Sequence, residues 1–241
     1  MNIFTAIREE MLVPVHPAGW PFIGAFAAVT AALTFLFEPF AWVGIPLTLW
    51  CVYFFRNPER TTPQDQHLII APADGRVLTV DEAEVPPELD LPEGRYRRIA
   101  IFMNVFDVHV NRSPIAAQIT SKSYVPGRFV NASLDKASTD NERLALVLQP
   151  KAEGTGPVGV VQIAGLVARR ILCERDVGDQ LSAGQVYGLI RFGSRVDVWL
   201  PVDTDPLVLP GQRTLAGETV LADLYGKTSG RRRKPASGRT R

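Results

Sequence analysis

Two stretches of this chain contain no charged residue, Pro17 to Phe37 and Pro39 to Phe55, and only Glu38 stands between them. An apolar segment of about 16 to 20 residues, helical at ~1.5 Å per residue, is near the least that crosses a hydrocarbon core. With Glu38-Pro39 as the break, the pair predicts a helical hairpin solvated by a membrane. Trp20, Trp42 and Trp50 fall near segment ends, where amphipathic rings favour the interface. Arg8 before the hairpin, and Arg56 and Arg60 after it, place both of its ends on the cytoplasmic side. A cleaved signal peptide fits less well: Arg8 is followed by Glu9 and Glu10, and the apolar character runs far past any Ala-x-Ala site. A buried hairpin of a soluble fold is the other competing reading. Spanning and lying in one leaflet both remain open, because Pro and Gly interrupt the two segments.

After Arg60 the pattern changes to short β-type runs separated by Gly, Pro and Asp turns. They run Leu68 to Ile70, Arg76 to Val80, Arg98 to Met103, Val108 to Val110, Gln118 to Val125, Leu144 to Gln149, Gly159 to Ile163, Leu166 to Cys173, Gln185 to Phe192 and Arg195 to Pro201. In the last of these Val196, Val198 and Leu200 alternate with Arg195, Asp197 and Trp199, the period of a half-buried strand. Glu82 to Gly94, rich in Pro and Glu, reads as a surface excursion, and Ala132 to Asn141 as a short helix or long loop. The fold class expected is mainly β, a β-rich α+β catalytic domain over 61–226, preceded by the apolar hairpin and connector over 1–60. The segment 227–241 holds seven of the 26 Lys and Arg and no acid, leaving 19 basic against 25 acidic residues before it. That tail is expected to be disordered. It has no interleaved aromatics, so a basic run beside an anionic leaflet fits better than nucleic-acid binding.

Composition narrows the chemistry. Two cysteines, Cys51 and Cys173, supply neither a disulfide framework nor a zinc ligand set, and three histidines, His16, His67 and His109, limit where imidazole chemistry can occur. Three polar points stand out in the body. Asp74-Gly75 follows Ala71-Pro72-Ala73, an ordinary turn signal when taken alone. Asp107, His109, Asn111 and Arg112 sit among apolar strand residues in Phe102-Met103-Asn104-Val105-Phe106-Asp107-Val108-His109-Val110-Asn111-Arg112-Ser113-Pro114. Gly193-Ser194 divides Leu189-Ile190-Arg191-Phe192 from Arg195-Val196-Asp197-Val198-Trp199-Leu200-Pro201, and no Gly-x-Ser-x-Gly elbow surrounds the serine.

The order of these segments, together with Asn131-Ala132, Asn141-Glu142-Arg143 and Gln162-Ile163-Ala164-Gly165-Leu166-Val167-Ala168-Arg169-Arg170-Ile171, resembles the short bacterial form of phosphatidylserine decarboxylase. The resemblance runs from the hairpin to about Leu224, and Gly188 to Pro201 is its most specific part. It implies a proenzyme that cuts itself between Gly193 and Ser194 by serinolysis. Ser194 would become a covalent pyruvoyl group, and no metal, pyridoxal phosphate or nucleotide would be needed. The pyruvoyl would form a Schiff base with phosphatidylserine and release carbon dioxide and phosphatidylethanolamine, a step of phospholipid biosynthesis at the cytoplasmic face of a bacterial cell membrane. Residues 1–193 would be the large β subunit and 194–241 the small α subunit, a heterodimer whose further oligomerisation is open.

A base must activate the Ser194 hydroxyl, and His109 is the candidate by type, with Asp74 to orient it. Longer members of the family carry a second histidine three residues after the first; here that position is Arg112, so the relay role of the second histidine does not transfer. Arg112, Arg191 and Arg195 are candidates to meet the lipid phosphate or carboxylate. A membrane-tethered binding module in which Ser194 is a turn residue, and an enzyme acting on another serine-headgroup lipid, are the competing functions.

Overall fold

This computed structural model describes residues 13–127, 132, 140–152, 154–165, 170–191 and 194–224; Gly193, Asn131, 166–169 and the basic tail 227–241 lie outside them. The chain divides into two compact units, Met1–Glu59 and Arg60–Arg241.

In the first unit, helix α1 (Trp20–Leu36) and helix α2 (Ala41–Phe54) are joined by a single 3-10 turn, Glu38–Phe40. The helices pack closely at small residues. A Cβ on Gly44 would stand 2.5 Å from Thr30 Cγ2. Thr30 and Thr48 meet through their hydroxyls at 3.3 Å, and small-residue contacts of this kind bring apolar helices together. Val15 bridges Arg56 antiparallel, and His16 N donates to Phe55 O at 2.8 Å, tying the base of the hairpin. The outer surface is apolar, with Phe35 91% and Trp42 85% exposed, which suits a hydrocarbon surround better than water. The two arms are unequal. Among the described residues only Pro17–Leu36, 20 residues of mean hydropathy 1.6, is long and apolar enough to cross a membrane. Helix α2 has 14 residues with Pro46 inside it, about 21 Å at the α-helical rise.

The second unit is mainly β. Its strands are β1 (Leu68–Ile70), β2 (Gly75–Glu84), β3 (Arg95–Met103), β4 (Val110–Arg112), β5 (Ala117–Val125), β6 (Arg143–Pro150), β7 (Val158–Ala164), β8 (Ile171–Cys173), β9 (Gln180–Leu181), β10 (Val186–Ile190), β11 (Ser194–Pro201), β12 (Arg213–Thr214) and β13 (Val220–Asp223). An antiparallel sheet of eight strands has the order β12-β2-β3-β11-β7-β6-β5-β9; β4-β10-β8 form a second sheet and β1-β13 a third. The main core lies on the face of the large sheet that carries Ile99, Ile101 and Met103 of β3, Val160 of β7, and Val196, Val198 and Leu200 of β11.

Strand β11 is not half-buried as its alternation predicts. Residues 194–200 are all buried, because the other face of the sheet has its own cover. Leu89 and Leu91, from the segment expected to be a surface excursion, pack with Ala145, Val147, Val161, Ile163 and Trp199. Glu88 holds Arg143 beside them. Arg195 and Asp197 are accommodated on that face by bonding each other: Arg195 Nε reaches Asp197 Oδ1 at 2.5 Å and Nη2 reaches Oδ2 at 2.8 Å.

Burial pushes the Asp197 carboxyl up from its ordinary value of 3.8, and Arg195 opposes the shift. A carboxyl whose folded pKa is raised binds its proton more tightly in the native state. Its contribution to stability is therefore lost as pH rises from the unfolded value through the folded one. We expect Arg195→Met alone to cost about 3–5 kcal/mol, since it leaves a buried charge unmatched, whereas Arg195→Met with Asp197→Leu should be near neutral and lack this pH slope. Denaturant unfolding at several pH values would check both.

Candidate active site

Asp74 lies in the turn between β1 and β2. Arg60 Nη2 donates to its Oδ1 at 3.0 Å and Oδ2 at 2.8 Å, and Ala216 N donates to Oδ1 at 2.7 Å. Gly75 has φ +153, and a Cβ there would come 2.1 Å from Phe102 O. The Asp-Gly signal is thus a steric requirement as well as a carboxylate placement. Arg112 reaches the same corner, its N donating to Pro72 O at 2.9 Å and its Nη1 to Gly184 O at 3.0 Å. Burial lowers the Arg112 pKa first and Arg60 second, while Asp74 and Glu218 oppose them. An arginine so shifted is still charged at neutral pH. The corner is an ionic cluster of Arg60, Asp74, Arg112 and Glu218.

His109 is buried just before β4. Its Nδ1 lies 3.0 Å from Asp107 O. A carbonyl oxygen only accepts, so Nδ1 carries a proton, and Nε2 is the ring nitrogen left to exchange one. The supporting turn is pinned by the Asp107 carboxylate, which accepts from Asn104 N at 2.9 Å and Arg213 Nη2 at 2.6 Å.

Ser194 opens β11, paired with Met103 of β3 on one side and Ala164 of β7 on the other. It is fully buried. Its hydroxyl donates to Met103 Sδ at 3.8 Å, a thioether that holds a proton weakly. Asn111 Nδ2 donates to the same sulfur at 3.7 Å, and Gln162 Nε2 donates to Asn111 Oδ1 at 2.8 Å. Four strands, β3, β4, β7 and β11, meet at this cluster. Backbone ties bring His109 close along the chain: Ile190 N, four residues before Ser194, donates to His109 O at 3.2 Å, and His109 precedes Asn111 by two residues.

The predicted site residues thus fall into connected groups: Ser194 with Asn111 and Gln162, His109 on the Asp107 turn, and Asp74 in the cluster with Arg60 and Arg112. Of the three arginines weighed for the lipid, Arg195 is bound to Asp197 and 1% exposed. Arg191 is lowered in pKa by burial and then by Arg170. Met103, Gln162, Arg60 and Glu218 were not singled out from sequence. Gln162 had a signal, as an amide in the otherwise apolar run Val158–Ala164.

The family model described as phosphatidylserine decarboxylase matches residues 47–222. The chain belongs to the phosphatidylserine decarboxylase family. It is also 52% identical, over 92% of its length and 94% of the relative's, to a phosphatidylserine decarboxylase proenzyme of Beijerinckia indica subsp. indica. The phosphatidylserine decarboxylases are carboxy-lyases, and the matched region runs from within α2 to β13. It therefore takes in the Asp74 corner, the His109 turn and the Ser194 cluster together.

Proposed function

We propose that this chain is a phosphatidylserine decarboxylase proenzyme that matures by serinolysis between Gly193 and Ser194, and the observation that carries this is the buried, strand-leading Ser194. Its hydroxyl oxygen adds to the Gly193 carbonyl as its proton passes to a base. The C–N bond breaks, the amide nitrogen takes a proton, and an ester replaces the peptide bond. Loss of the Ser194 α-proton then expels the Gly193 carboxylate, and water releases the nitrogen as ammonia, leaving a pyruvoyl group at residue 194. Glycine at the attacked position permits close approach. His109 supports the role of base: its protonated Nδ1 on Asp107 O leaves Nε2 as the basic nitrogen. Asp74, fixed by Arg60, is the carboxylate proposed to orient that base.

The residues around Ser194 fit such a group. A buried site bounded by a thioether and two amides keeps water from a reactive ketone and needs no charge removed to admit it. The pyruvoyl would supply an electrophilic carbonyl for the amine of the serine headgroup and a sink for the electron pair released with carbon dioxide. The chain's residues bind and orient the headgroup, exclude water and move protons.

The strands before and after the cut have separate partners. They lie in different sheets: β10 is held by β4 and β8, and β11 by β3 and β7. Strands β12 and β13 pair with β2 and β1. Each of the three strands among the described residues after 193 therefore joins one before it, which supports a heterodimer of 1–193 and 194–241 that stays together after cleavage. The hairpin supports a site held at the membrane, with the body at the cytoplasmic face.

The test is the chemistry of the small fragment. An active preparation should yield two chains, the smaller beginning at residue 194, blocked to N-terminal sequencing and reactive toward carbonyl reagents. A single intact chain of 26.5 kDa in active enzyme would defeat the proposal.

A further inference from the structure

Gln162 is completely buried, and its Oε1 has no hydrogen-bond partner. A buried carbonyl with no donor is unfavourable, and its persistence in a fold calls for a reason. Its position supplies one. Gln162 faces Val196 across the β7–β11 ladder, and Ser194, two residues before Val196, faces Ala164. Period-two alternation places Gln162 and Ser194 on one face of the sheet as diagonal neighbours, a relation with a span of about 7–8 Å that long side chains bridge.

The sense of the amides follows from Met103. A thioether accepts and never donates, so Asn111 turns its Nδ2 to the sulfur and its Oδ1 to Gln162 Nε2. Turning Gln162 over would set two carbonyl oxygens against each other. Turning both would leave Asn111 Oδ1 against sulfur without a donor. The end of the pair left for a ligand is therefore an acceptor, on a fully buried side chain.

We propose that Gln162, oriented by Asn111, is the headgroup-recognising residue of this site, its Oε1 accepting an N–H from the primary amine that must reach residue 194. This rests on the reading of residue 194 as the reacting carbonyl. The pair would select lipids with a primary amine over those whose nitrogen bears no hydrogen.

The experiment measures recognition without turnover. Full-length processed enzyme is treated with borohydride, which reduces a ketone at residue 194 and adds two hydrogens to the small fragment. Binding to vesicles containing phosphatidylserine is then compared with binding to vesicles containing its N-trimethylated counterpart. Absence of the mass change would defeat the carbonyl reading itself, independently of the binding result. With the mass change present, the unsubstituted protein should prefer the primary amine by about tenfold, the size of one hydrogen bond made in a dry site. Gln162→Leu should reduce that preference to under about threefold, and so should Asn111→Leu, which removes the partner that fixes the sense of the Gln162 amide. A preference unchanged in Gln162→Leu overturns the proposal. So does failure of both variants to self-cleave, which would assign the amide pair to the cutting step.

Discussion

Ser194→Ala is expected to yield one intact chain, with neither self-cleavage nor decarboxylation. The methyl group can form no ester, so the elimination that depends on that ester cannot follow, and no residual rate from a neighbouring group is expected. A misfolded variant would give the same null result, so the prediction needs a control that the structure supplies. Ser194 is buried, and its hydroxyl bonds to one thioether sulfur among the described residues. Its removal should change stability by no more than about 1 kcal/mol. Strand β11 is paired on both sides before any cut, so the fold does not depend on cleavage. The variant should melt with the unprocessed parent chain and stay uncut by mass. Two fragments from Ser194→Ala, or activity from the intact chain, would remove serinolysis as the route.

Much of this was legible from residues. Charge-free runs marked the hairpin, and alternation found most strands to within a few residues. What escaped has a common physical cause, namely partners distant in sequence. Arg195 and Asp197 read as the wet face of a strand, since nothing local indicates that Leu89 and Leu91, over a hundred residues earlier, lie across that face. The segments flanking the cut are adjacent in sequence, yet each finds its partners in a different sheet, which nothing local to them indicates. Helix α2 also read as the equal of α1, but Phe37 to Ala41 turn through a 3-10 segment that shortens it.

The proposed site residues divide the same way. Ser194 and Gly193 were readable through segment order and resemblance, and His109 through its rarity. Gln162 looked like a residue of an ordinary strand. Its meaning depends on Asn111, which reaches it from another sheet. Asp74 was legible as a carboxylate in a turn, but the arginines that surround it come from either side, Arg60 ahead of the first strand and Arg112 in β4.

His109→Ala should lower decarboxylation about 100- to 10,000-fold, the usual contribution of a positioned acid or base, and should slow self-cleavage as well. The difficulty is that the imidazole also has a structural bond. Its Nδ1 donates to Asp107 O, and deleting it leaves a buried carbonyl short of a donor at about 1–3 kcal/mol. His109→Gln separates the two effects. The amide nitrogen of glutamine offers the N–H that Asp107 O requires, but no glutamine atom takes up a proton near neutral pH. If the ring acts as the base, His109→Gln should melt close to the parent protein while cutting and turnover stay as low as in His109→Ala. If the ring only props the 104–107 turn, His109→Gln should recover both stability and rate. Recovery of more than about one-tenth of the parent turnover would exclude the base role. Measuring cutting by mass separately from turnover of already processed enzyme would then show which of the two proton transfers the ring serves.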